Sequence, residues 1–267
     1  MSNSTIHPTA VIDDNATIGE NCQIGPFCVV GEHVKLGDNV TLKSHVVVDG
    51  HTTVGAGTTI YPFASIGHAP QDLKYHGEPS ELIIGENNTI REHATMNPGT
   101  EDGGMKTVVG DNNLFMMATH VAHDCIIGNN VIMANNATLG GHVVVGDRAL
   151  IGGLAAVHQF VRIGDFAVIG GMSGVESDVL PFGRVKGERA HLAGLNLVGL
   201  ERGGFDKDQI RAIQKSFKNI FDGDGNHDER LAKVADENKD NDIISKIVDF
   251  AQHRERFGLC QPQKKSA

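Results

Sequence analysis

The chain has 267 residues, a formal charge of −10, 33 glycines, two tyrosines and no tryptophan. That acidic balance argues against nucleic acid and against anionic membrane as partners, because both are bound through basic surface. With tryptophan absent and tyrosine scarce the core is expected to be aliphatic, and the glycine content calls for many tight turns.

The opening MSNSTIHPTA has no basic start and no apolar h-region, so no secretory signal is read there. No stretch approaches the roughly 18 consecutive apolar residues of a spanning helix, so no membrane span is expected. Cys22, Cys28, Cys125 and Cys260 have no CxxC spacing. They suit a reducing, cytoplasmic setting better than a disulfide framework.

From Ile6 onward an aliphatic residue recurs every six positions, through Ile12, Ile18, Ile24, Val30 and on to Ile66. The phase resumes at Ile84–Met96 and runs again from Val109 to Val175. Glycine often follows, as at Ile24-Gly25 and Ile127-Gly128, and a small or β-branched residue such as Ala10, Cys22 or Val34 stands two positions before. The helical period of 3.6 is absent. A period of six predicts short strands joined by tight turns, three to a triangular coil of 18 residues. Coils then stack by parallel strand pairing about 4.8 Å apart. The predicted fold is therefore a parallel β-helix over residues 1–185. Two segments, 67–83 and 97–108, break the period and read as loops leaving one corner, a common place for binding function.

Pro181 and Gly183 mark a junction, and residues 186–267 read as a small helical domain covering the end of the solenoid. Ile210, Ile213, Phe217 and Ile220 are spaced for a helix over 206–221, with Asp206 as N-cap. Further helices are predicted over 227–235 and 241–257, and the final QPQKKSA is expected to be disordered.

Coil arithmetic groups the histidines. His123 and His142 differ by one coil plus one residue, and His158 lies two coils minus one residue from His123, with His120 half a strand away. They should line one corner. Three chemistries fit such a stripe: solvated turn residues, zinc ligands converging at about 2 Å, or a general base, since histidine titrates near neutral pH. Asp124 or a backbone carbonyl is available to orient the His123 ring.

The segments IGPFCVVG (24–31), LKSHVVVDGHT (42–52), QDLKYHGEP (71–79), HVAHDCIIG (120–128), NNATLGGHV (135–143), AVHQF (156–160) and GLNLVGLERGGF (194–205) resemble the UDP-N-acetylglucosamine acyltransferase family over nearly the whole chain. The resemblance implies a left-handed β-helix, whereas the general crossover rule favours the opposite hand. It implies transfer of a 3-hydroxyacyl chain from acyl carrier protein to the 3-hydroxyl of UDP-N-acetylglucosamine, or to its 3-amino analogue, as the first step of lipid A synthesis. On that resemblance His123 is the catalytic base, Asp124 its partner, and the Gly141 N–H the oxyanion donor. Asp72, Lys74, His120, His142, His158 and Gln159 contact or line the substrate site, and Asn196 and Arg202 reach the nucleotide end. Gly171 matches a hydrocarbon ruler and implies a long acyl chain, qualified by the neighbouring Met172. Asn97 stands where many members carry histidine, and no catalytic role is assigned to it. No cofactor and no metal are implied. A cytoplasmic homotrimer with sites between subunits is. Arg211, Lys215 and Lys218 on one helix face are candidates for docking the acidic carrier protein. The N-acyltransferase acting later in the same pathway usually carries an extra N-terminal domain, which hexapeptides starting at Ile6 argue against. A solenoid carbonic anhydrase and an ice-binding solenoid are the other readings of the repeat, and the latter needs neither QDLKY nor a histidine stripe.

Overall fold

The computed structural model describes residues 3–253 and 256–263. The hexapeptides form short parallel strands in three faces of a left-handed β-helix. The first face runs from Thr5–Ile6 to Val168–Ile169, the second from Val11–Ile12 to Gly174–Val175, and the third from Thr17–Ile18 to Arg162–Ile163. Register places each in-phase aliphatic on its counterpart one coil away, as in Ile6↔Ile24, Ile24↔Leu42 and Leu42↔Ile60. These residues fill the core together with the small residues two positions before them, such as Cys22, Val34 and Val40. The first coil departs from the pattern. Ile6 is 46% exposed because it has a coil on one side only.

Glycine enters the turns differently from the expectation. The left-handed turn position, three residues before each aliphatic, is mostly not glycine: Asn21, Asn39 and Asn130 hold it, as do Asp124, His142 and Phe160. Asparagine tolerates this region best among ordinary residues. The repeat glycines serve coil-to-coil contact instead. A Cβ on Gly25 would lie 2.6 Å from the Lys43 carbonyl oxygen of the next coil.

Both interruptions of the period leave the corner between the second and third faces. They are shorter than the broken phase suggested, because strands Glu81–Ile84 and Lys106–Val109 resume pairing early. The loops thus span 67–80 and 97–105. Strands also persist beyond residue 185. Gly183–Lys186 joins the first face, and His191–Leu195 pairs with it antiparallel.

Among the described residues four helices follow: α1 (Leu197–Arg202), α2 (Lys207–Phe221), α3 (His227–Glu237) and α4 (Asp242–Gln252). Asp206 caps α2 and Asn226 caps α3, each in a reciprocal capping box with the residue three positions on. The last helix stops at Gln252, short of the expected 257. The chain then returns to the coil through bridges Asp178↔Leu259 and Leu192↔Pro262. Gln261 and Pro262 are therefore placed by pairing rather than loose, and residues 264–267 of the expected tail lie outside the described residues. Helices and coil are joined by Arg162, whose guanidinium donates to Asp178 Oδ2 at 2.6 Å and to the Phe250 carbonyl at 3.1 Å.

Candidate active site

His123 sits in the turn between strands His120–Val121 and Ile126–Ile127, at the corner that also emits both loops. The next coil puts Gly141 directly beneath it. A Cβ there would come within 2.5 Å of the imidazole Cε1 and 2.6 Å of Nε2, so only glycine leaves room for the ring. The Gly141 N–H donates to no acceptor among the described residues. The following N–H, of His142, donates to the His123 carbonyl at 2.9 Å.

Asp124 has a left-handed φ of 58°. That turn brings two consecutive side chains together, with His123 Nδ1 2.8 Å from Asp124 Oδ2. The Asp124 side chain is only 1% exposed. Loop 97–105 covers it. The Thr100 N–H donates to both carboxylate oxygens at 3.0 and 3.1 Å, and the Thr100 hydroxyl donates to Oδ2 at 2.6 Å. Gly99 and Gly103 pack so closely on the carboxylate that a Cβ on either would collide with it. Burial alone would raise the Asp124 pKa, but the hydrogen bonds from His123 and Thr100 outweigh it and hold the carboxyl below its ordinary value. An ionised carboxylate only accepts, so Nδ1 carries the imidazole proton and Nε2 keeps its lone pair. That Nε2 faces Asp72 Oδ2 of loop 67–80 at 3.6 Å.

The two loops brace each other. Glu78 accepts from the Glu101 N–H at 3.1 Å and from the His76 N–H at 2.8 Å. Lys74 Nζ lies 3.3 Å from Asp102 Oδ2, and the Lys74 N–H donates to Asp72 Oδ1 at 3.0 Å. Asn97 donates to the His68 carbonyl at 3.0 Å and so anchors the first loop.

Along the corner, His142 stands edge-on to His123 at 5.0 Å and stacks on Phe160 at 4.2 Å and 6°. The Arg256 guanidinium lies 3.5 Å from the Phe160 ring centroid. His142 titrates below its ordinary value, first through burial; Asp124 opposes the shift, while His123 and Arg256 add to it. His120 bonds Thr95 Oγ1 at 2.7 Å and is lowered by burial and then by His123. His158 and Gln159 are exposed one coil further on, with Phe257 edge-on to His158 at 5.5 Å.

One chain therefore gathers His123, Asp124, Gly141, His142 and Asp72, with Lys74, His120, His158 and Gln159 around them. It leaves three predicted residues elsewhere. Gly171 is exposed in the turn between the first and second faces, a different corner, beside the 72%-exposed Met172. Asn196 caps α1, accepting from the Gly199 N–H at 3.0 Å and donating to the Phe166 carbonyl at 2.8 Å. Arg202 is exposed at the end of that helix. On α2, Arg211 pairs with Asp208 at 3.0 Å and Lys215 approaches Glu237 at 4.0 Å, which offsets part of the basic face; Lys218 is exposed. Thr100, Glu78, Phe160 and Arg256 did not emerge from the repeat as site residues. Phe160 alone carried a signal, lying one coil below His142.

His123, Asp124 and His142 offer ligand atoms within 4.8 Å of one another, enough to consider a metal. Asp124 Oδ2, however, is engaged by Thr100 and by Nδ1 at hydrogen-bond distance, and His142 Nδ1 stands 4.0 Å away from it. Such an arrangement fits an imidazole oriented by an ionised carboxylate better than coordination at about 2 Å.

Residues 178–260 match the family model described as UDP N-acetylglucosamine O-acyltransferase, domain 2, and residues 1–32, 15–50 and 106–141 match the bacterial transferase hexapeptide model. The acyl-[acyl-carrier-protein]–UDP-N-acetylglucosamine O-acyltransferase of Rickettsia canadensis is 53% identical over 264 residues, covering 99% of this chain and 100% of that protein. Its counterpart in Paracoccus denitrificans is 51% identical over 191 residues, 72% of each chain. A crystal structure of UDP-N-acetylglucosamine acyltransferase superposes with a TM-score of 0.94 at 44% identity, covering 97% of this chain and 100% of the other. The Campylobacter jejuni enzyme gives 0.92 at 39% identity, with the same coverage. With identity sustained from end to end, the chain belongs to the acyl-[acyl-carrier-protein]–UDP-N-acetylglucosamine O-acyltransferase family.

Proposed function

We propose that this O-acyltransferase moves a 3-hydroxyacyl chain from acyl carrier protein to the 3-hydroxyl of UDP-N-acetylglucosamine, the first step of lipid A biosynthesis, with His123 as general base. One observation carries the mechanism: a buried carboxylate holds Nδ1 of His123 at 2.8 Å, leaving the Nε2 lone pair on the side of Asp72 in loop 67–80. Nε2 takes the proton of the sugar hydroxyl as its oxygen attacks the thioester carbonyl. The Gly141 N–H, which has no protein acceptor among the described residues, stabilises the oxyanion. Collapse of the tetrahedral intermediate expels the carrier thiolate, which receives the proton from the imidazolium. The sugar attacks directly, so no acyl-enzyme forms.

Asp72, Lys74, His142 and Gln159 bind the acceptor in this scheme, with His120 and His158 lining the cleft. The other wall comes from a second copy. Gly171, the ruler residue, lies on a different corner from His123, and the exposed apolar side chains Leu73, Leu154 and Met172 sit on these two corners. The second face between them presents small outward residues such as Ser65, Thr138 and Ala156. A homotrimer packing its second faces about one axis would join unlike corners and close the ring. It would bring Gly171, Asn196 and Arg202 to a neighbouring site. The carrier protein docks near α2, and the four free, buried cysteines suit the cytoplasm. The test is His123→Ala with UDP-N-acetylglucosamine and its 3-amino analogue as acceptors. Transfer should fall roughly 10²- to 10⁴-fold with the fold intact, and retained transfer removes His123 from the mechanism.

A further inference from the structure

We infer that Thr100 is a positioning residue for the catalytic pair, setting the proton affinity of His123 through Asp124. The inference rests on His123 acting as base. Thr100 is 3% exposed and begins the short helical turn Glu101–Gly103 at its N-cap position. Threonine there ordinarily spends its oxygen on the first free N–H groups of the turn. Here no side-chain cap bond forms. The hydroxyl is turned instead onto Asp124 Oδ2 at 2.6 Å, the same oxygen that holds His123 Nδ1 at 2.8 Å. The backbone is committed the same way, because the Thr100 N–H also points at the carboxylate. Its carbonyl is fixed by the N–H groups of Gly103 and Met105 at 3.0 and 2.9 Å. Loop 97–105 therefore delivers a rigid, two-pronged donor to a carboxylate that water cannot reach.

The consequence is electrostatic. Three donors share the negative charge of Oδ2: the Thr100 hydroxyl, the Nδ1–H of His123 and, at 3.1 Å, the Thr100 N–H. When the hydroxyl is removed, more of that charge falls on the Nδ1 proton, and the imidazolium is stabilised. His123 then binds its proton more tightly, and it is charged, and inactive as a base, over a wider pH range.

The experiment compares Thr100→Val with Thr100→Ser. Valine keeps the shape without the hydroxyl, and serine restores the hydroxyl without the methyl. Thr100→Val should move the acid limb of the kcat/KM profile to higher pH, so that the rate falls on that limb and is kept on the high-pH plateau, while Thr100→Ser returns the limb toward its wild-type position. His123 is also titrated by NMR, its resonance assigned by its loss in His123→Gln; its titration should move to higher pH in Thr100→Val. Equal impairment of both variants with an unmoved pKa would mean that Thr100 only packs the loop, and the inference fails. Wild-type kcat with an unmoved pKa in Thr100→Val overturns it as well. The two readings part at the NMR signal. A raised pKa in Thr100→Val beside full activity of His123→Gln would refute the base and keep the Thr100 link.

Discussion

Replacing Asp124 by asparagine separates the fold from the chemistry. The carboxylate oxygen nearer the Thr100 N–H, at 3.0 Å, must remain an acceptor, since a backbone amide can only donate. The amide nitrogen then falls at the Oδ2 position, 2.8 Å from His123 Nδ1 and 2.6 Å from the Thr100 hydroxyl. Its two N–H groups can serve both neighbours once the hydroxyl rotates to accept. No buried group loses its partner, so Tm should move by no more than about 4 °C. The imidazole, however, must now accept at Nδ1 and carry its proton on Nε2. The base is present in the wrong tautomer, and kcat should fall roughly 10²- to 10⁴-fold. Steady-state transfer assays and thermal unfolding of the same preparation measure both. Activity within about fivefold of wild type would refute the tautomer argument, given a gap of at least 10²-fold. The acid side gives a second check. Asp124 has a folded pKa below its ordinary value, so its contribution to stability is present above the ordinary carboxylate value and is lost as pH falls through the lower folded one. The Asn variant lacks that contribution, and its Tm should decline less steeply on acidification.

Gly141→Ala places a methyl group 2.5 Å from the His123 ring and must displace it. A shift of about 1 Å costs roughly 10²-fold, so kcat should drop by that order while a crystal structure shows the ring moved; an unmoved ring with normal turnover contradicts the close-approach argument. Gly171→Met should turn chain-length preference toward shorter 3-hydroxyacyl donors in a competition assay. An unaltered preference removes Gly171 from the acyl groove. Arg256→Ala should raise the titration of His142, because the guanidinium stacked on Phe160 adds to the lowering that burial begins. An unchanged NMR titration would show that its charge does not reach the ring.

The solenoid was legible because a six-residue period tolerates no other regular structure, and each coil repeats the same burial on the one before. Grouping His123, His142 and His158 at one corner followed from coil length alone, and the capped helix after Asp206 followed from local chemistry. The span of the final helix did not, since the return of Leu259 and Pro262 to the coil is a long-range pairing. Glycine was only half legible. Composition suggested turn conformations, whereas Gly25 and Gly141 are required by atoms a full coil away. What tertiary structure alone decided is how the aperiodic loops lie. Nothing near Thr100 in the sequence points to Asp124, 24 residues on. Loop residues have no period to place them; they are positioned by the buried charge they have to satisfy.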